Sequence, residues 1–145
     1  MSNIKTIIGK QFPQEVIPLI DNAKQSISVV VFDWRWYPQD PGSPVQLFNQ
    51  AIVRAVRRGV AVRAISNNDE IVRTLNAVGV RAVRLRIKNL VHAKLMVIDS
   101  RLVITGSHNY TTHAFTENIE LSVLADCEQL AKEAEVFFNQ IYNLT

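Results

Sequence analysis

The chain has 145 residues, 48% of them hydrophobic and 20% charged, with a formal net charge of +3. That length fits one domain, residues 1–145, that can bury its own core without disulfides or a structural metal, and the apolar content excludes intrinsic disorder. The lone Cys127 excludes an intramolecular disulfide framework and a cysteine-rich zinc site, and only five Gly and five Pro exclude collagen-like or low-complexity architecture. No apolar run approaches the roughly 18 residues of a spanning helix, and the first eleven residues lack a signal-peptide core, so the expectation is a cytoplasmic protein with no membrane association.

The elements read in chain order as follows. Pro13 to Lys24 has helical apolar spacing, with proline only in its first turns. Ile27 to Phe32 is a short β-branched run, apolar on both faces, as in a buried central strand. Asp33-Trp34-Arg35-Trp36-Tyr37 leads into a Pro/Gly/Asp-rich loop, and a helix from Val45 to Arg58 stops at Gly59. Val60–Ile65 reads as a strand, and Asp69 or a neighbouring Asn caps a short helix that ends at Gly79. Val80–Ile87 is a half-exposed strand studded with arginines. Val91–Ile98 and Leu102–Thr105 form a hairpin around Asp99-Ser100-Arg101, Ile119–Ala125 is a further strand, and a last helix starts at Asp126 with Gln129 three residues on. The alternation predicts an α/β domain: a mixed β-sheet flanked by helices on both faces.

Charge is unevenly spread. Residues 1–50 carry a net charge of 0, residues 51–101 a net +8, and residues 102–145 a net −5. A basic middle third is the pattern of a phosphate-binding surface, although any single arginine there can equally be a solvated face.

The densest chemistry lies in V-H-A-K-L-M-V-I-D-S-R-L-V-I-T-G-S-H-N, residues 91–109. On a strand, side chains at i and i+2 share a face, which predicts His92 and Lys94 side by side, roughly 7 Å apart along it. A nucleophile or base beside a fixed positive charge suits a phosphate. Gly106 allows close backbone approach, and Ser107 and Asn109 supply uncharged donors. Pairing of the hairpin strands would return those donors to the His92/Lys94 end.

These residues resemble the phospholipase D superfamily signature, His-x-Lys-x4-Asp-x6-Gly-Ser-x-Asn, at every position: His92, Lys94, Asp99, Gly106, Ser107 and Asn109. Asn118-Ile119-Glu120 is similar to the family's trailing Asn-x-Glu. The resemblance implies a phospholipase D-like fold and, with one copy of the signature, a homodimer whose two His92/Lys94 pairs build one site. It implies phosphodiester hydrolysis through a phosphohistidine, with no metal and no cofactor. One His92 would attack phosphorus and the other would protonate the leaving oxygen. Lys94, Asn109 and Ser107 would stabilise charge, and Glu120 would accept from the histidine ring. Asp99 and Gly106 are read as structural members of the motif.

The basic middle third favours nucleic acid, DNA ahead of RNA, and hence a weakly specific endonuclease. The alternatives are phosphatidyl transfer or hydrolysis on a lipid, for which no apolar entry groove is legible, and an inactive nucleic-acid-binding scaffold dimer. An unrestrained intracellular nuclease would be toxic, which suggests a regulatory protein partner. Trp34, Arg35, His108 and Arg101 are candidate substrate contacts, with Trp36 beside them; core or interface packing is the competing role for the tryptophans. His108 and His113 lack the carboxylate or cysteine companions of a zinc site. Ser107 lacks the G-x-S-x-G context of a hydrolase elbow, Cys127 reads as a small packing residue, and the Val136-Phe137-Phe138-Ile141 stripe as core.

Overall fold

A computed structural model describes residues 3–144. In chain order they form β1 (Asn3–Ile8), α1 (Gln11–Asp21), β2 (Ser26–Val30), α2 (Pro44–Arg57), β3 (Ala61–Ser66), α3 (Asp69–Ala77), β4 (Arg81–Arg84), β5 (Leu95–Ile98), β6 (Leu102–Gly106), α4 (Thr112–Thr116), β7 (Leu121–Asp126) and α5 (Glu128–Tyr142). The strands make one mixed sheet in the order β1-β7-β6-β5-β2-β3-β4. β2, β3 and β4 run parallel, as their intervening helices require, and the remaining pairings are antiparallel.

Both faces are covered, but unequally. Ile20, Phe48, Ile52, Leu75 and Phe115 from α1–α4 pack on one face with Ile27, Val29 and Met96. On the other face only α5 is present, placing Ala131 and Phe138 against Val30, Ile65, Val97 and Val103. α5 reaches β2, β5 and β6, so the outer strands β1 and β7 leave Ile4, Ile8 and Leu121 exposed, with Ile8 paired to Leu121. No described helix is long and apolar enough to cross a membrane.

The local signals act as expected at several ends. Ser43 caps α2 by accepting from the Gln46 N–H, Pro44 follows it, and Asn68 caps α3 by accepting from the Glu70 and Ile71 N–H groups. Other boundaries differ. α1 starts at Gln11 and holds Pro18 in its interior. β1 and α4 were absent from the sequence reading: β1 is stabilised by pairing with β7, and α4 is a single turn capped by Thr111. The α5 cap is Cys127, whose Sγ accepts from the Leu130 N–H, because Asp126 still belongs to β7 and binds Arg101.

The hairpin turn explains Asp99. Asp99 and Ser100 both have positive φ (55° and 53°), and the Arg101 N–H donates to the Ile98 carbonyl, a type I′-like turn. The Asp99 carboxylate then accepts from the backbone N–H groups of Lys24, Gln25 and Ser26, the segment that opens β2. Burial pushes its pKa up, but these backbone hydrogen bonds outweigh that and hold it below its ordinary 3.8. A depressed carboxylate stabilises the fold above its ordinary pKa, and that contribution is lost as pH falls through the folded value. Asp99→Ala is therefore expected to cost about 2 kcal/mol at pH 7 by orphaning these donors. Urea unfolding at pH 7 and near pH 3 checks this: the gap between wild type and variant narrows in acid.

Candidate active site

One end of the sheet collects the signature residues. The carboxyl ends of β2, β3 and β6 meet the amino ends of β5 and β7 there, so the segments after Val30, Ser66 and Gly106 face those before Leu95 and Leu121. In sheets of this kind, ligand sites form beyond the carboxyl ends of the parallel strands.

His92 and Lys94 lie before β5, which begins only at Leu95, so their proximity is not the i, i+2 spacing of a strand. The Lys94 ammonium sits 3.3 Å from His92 Nδ1 and 3.5 Å from Nε2, and donates to the His92 carbonyl at 3.0 Å. The Phe32 ring backs both, 5.0 Å from the imidazole and 5.5 Å from Nζ. Thr105 Oγ1 donates to the Lys94 carbonyl, tying this segment to β6.

Asn67 fastens the same segment and escaped the sequence reading. Its amide donates to the Phe32 and Val91 carbonyls while its Oδ1 accepts from the Val91 N–H. The only available signal was an Asn-Asn pair ending β3, which was read merely as a helix cap.

Asn109 Oδ1 accepts from the Asp33 N–H at 3.0 Å, which leaves its NH2 group without a protein partner among the described residues. Ser107 is more committed. Its hydroxyl donates to Glu120 and accepts from the Leu121 N–H, so no donor remains for a phosphoryl oxygen. Glu120 also accepts from Asn118 Nδ2 at 3.1 Å. Within one chain Glu120 therefore supports the Ser107 loop and does not bond to His92, contrary to the role implied by the signature.

Three of the candidate substrate contacts are placed elsewhere. His108 is 1% exposed and stacked on Phe12. Its Nε2 donates to the Gly9 carbonyl, which can only accept, so Nδ1 accepts from the Ser122 hydroxyl. Burial pushes its pKa down, against the opposing pull of the Gly9 carbonyl and the Glu120 charge. Trp34 is 2% exposed and donates from Nε1 to Asn49, so it is a core residue and offers no stacking face. Arg101 lies at the hairpin turn, the opposite end of β5 from His92, paired with Asp126.

Arg35 stays exposed near the site, with its Nε 2.8 Å from Asp33. That hydrogen bond and charge raise its pKa above the ordinary arginine value. His113 pairs with Glu117, and among the described residues no group of three or more His, Cys, Asp or Glu is placed to hold a metal.

Known proteins resemble this chain in sequence and fold. Residues 16–142 match the family described as "Cardiolipin synthase, PLD-like domain". A phospholipase D of Rickettsia felis is 30% identical over 123 residues, covering 78% of this chain and 55% of the relative. A 5′-3′ exonuclease of Mus musculus is 24% identical over 148 residues, covering 90% of this chain and 29% of the relative. The chain thus spans little more than half, or less, of the length of these curated relatives. The crystal structure of Nuc from Salmonella typhimurium, a phospholipase D family member, superposes with a TM-score of 0.85 at 21% identity, covering 99% of this chain and 96% of that one. With the sheet order, the convergence of His92, Lys94 and Asn109 on one sheet end, and a family match over nearly the whole length, this chain belongs to the phospholipase D superfamily.

Proposed function

We propose that the protein is a phosphodiesterase acting on nucleic acid, a weakly specific endonuclease that uses a histidine nucleophile, no metal ion and a site shared across a homodimer. The observation that carries this reading is the Lys94 ammonium held against both ring nitrogens of His92, with the Asn109 NH2 left free at the same sheet end. A ring nitrogen of His92 attacks phosphorus and the bond to the leaving oxygen breaks. That oxygen takes a proton from the second subunit's histidine. The same histidine then removes a proton from water, which attacks phosphorus, breaks the P–N bond and frees His92. Lys94 and Asn109 stabilise charge on the non-bridging oxygens.

Two steps need both a nucleophile and an acid, and one chain has a single His92, which favours a two-fold dimer. The uncovered Ile8 and Leu121, with fully exposed Ile119 next to Glu120, supply an apolar surface at the sheet end that carries the site. The net +8 of residues 51–101 and the mouse exonuclease among the relatives favour nucleic acid over lipid.

The test is cleavage of labelled single- and double-stranded DNA and RNA in excess EDTA. Cleavage that persists in EDTA is the expected result, with DNA ahead of RNA and a steep decline as salt rises. Dependence on added divalent metal, or cleavage of none of the four, overturns the reading.

A specific observation also favours a lipid phosphodiester. Leu85, Ile87, Leu90, Phe137 and Ile141 line an apolar groove of about 260 Å³ that reaches His92. The groove is illegible in sequence, because its walls come from the β4–β5 connection and from α5, over forty residues apart. Phosphatidylcholine–phosphatidylglycerol vesicles in the same assay decide between the substrates.

A further inference from the structure

A second cavity, of about 140 Å³, opens at the carboxyl ends of β2 and β3. It is bounded by Arg35, Trp36 and Tyr37 from the loop after β2, and by Asn68, Glu70 and Thr74 from the start of α3. The loop that forms it is the one that carries the phosphate site: Phe32 touches His92, Asp33 holds Asn109, and the cavity wall begins at the next residue, Trp34.

The wall is held rigidly from behind. Asn49 and Gln46, both buried in α2, direct their amides to this loop: Asn49 Nδ2 donates to the Arg35 carbonyl, and Gln46 Oε1 accepts from the Tyr37 N–H at 2.7 Å. Asn49 Oδ1 also takes the Trp34 indole N–H, and the two amides bond to one another. The hydrogen bonds of these two buried amides fix the backbone that presents Trp36 and Tyr37, which are only partly buried.

The polar side of the cavity sets a carboxylate beside a cation whose charge is already matched: Arg35 donates to Asp33, while the Glu70 carboxylate has no hydrogen bond or ion pair among the described residues and Thr74 spends its hydroxyl proton on the Glu70 carbonyl. The open Glu70 acceptor suits N–H groups on a flat ring. Aromatic faces with edge acceptors are the means by which proteins hold an unstacked base.

We infer that this cavity is a nucleobase subsite, taking a base with an exocyclic amino group next to the scissile phosphate, stacked on Trp36 and read by Glu70. The inference rests on the nucleic-acid reading and adds a base preference to it. The test compares three substrates in the full chain: oligo(dC), oligo(dT) and bis(p-nitrophenyl) phosphate, which has no base.

Wild type is expected to cleave oligo(dC) faster than oligo(dT). Trp36→Ala lowers kcat/KM on both oligonucleotides about 10-fold, the effect of losing one base stack. Trp36→Phe restores most of it, Glu70→Gln removes the dC preference, and cleavage of bis(p-nitrophenyl) phosphate stays unchanged throughout. Equal losses on the base-free substrate, or unchanged oligonucleotide rates, overturn the subsite. Wild type that cleaves bis(p-nitrophenyl) phosphate but neither oligonucleotide overturns the nucleic-acid reading itself.

Discussion

His92→Ala is expected to lower phosphodiester cleavage by about 10⁴-fold or more, and Lys94→Met by about 10²–10³-fold, with little change in thermal stability. The asymmetry follows from the roles proposed for them. Without the imidazole there is neither an attacking atom nor, in the second subunit, a proton donor. Without the ammonium the same steps proceed with less charge stabilisation. Both side chains are at least partly exposed and neither is part of the core, so their loss should leave the fold intact. The measurement is single-turnover cleavage in EDTA, with oligonucleotide binding measured alongside. Retained binding with lost cleavage is the expected outcome. A His92→Ala rate within 10-fold of wild type would remove His92 from the chemistry and leave the basic surface as a binding platform.

Gly106→Ala is expected to destabilise the protein by about 3 kcal/mol, roughly 10 °C in Tm. Gly106 pairs with Ser122, where β6 and β7 run closest to the site. A methyl group there would lie 2.5 Å from the Leu121 carbonyl oxygen and 2.5 Å from Ser122 Oγ, and the first of these is backbone that cannot swing away. The strands would have to part, moving Ser107 and Asn109 from their places. Ser122 also holds the buried His108 ring, so the disturbance enters the core. Gly42→Ala is the control, since nothing lies within 4 Å of its added methyl. Equal melting temperatures for the two variants would refute the close-approach explanation of this glycine.

The family and the mixed sheet were legible in the sequence for identifiable reasons. Alternating β-branched runs and helix stops at Gly59 and Gly79 are local signals, and a residue's own neighbours determine them. The signature spans eighteen consecutive positions, His92 to Asn109, so its spacing is visible without any knowledge of the fold. Asp99 reads as structural from its place at the turn; in the fold its carboxylate accepts from three backbone donors.

What escaped is long-range. β1 has no strong local pattern and exists through its register with β7, more than a hundred residues away. Trp34 reads as a substrate contact because it follows the first core strand, and His108 because it occupies the variable position of the signature. Burial against Asn49, Phe12 and Ser122 is decided by packing that sequence spacing does not encode. Glu120 turned to Ser107 rather than His92 because the Leu121 N–H locks that hydroxyl into the loop. The apolar groove beside His92 and the cavity at Trp36 each join segments that are tens of residues apart. Sequence alone determined which family this chain belongs to, because a motif is a local object. Only the tertiary structure decided which side chains remain free to meet a substrate, because freedom depends on every neighbour the fold brings in.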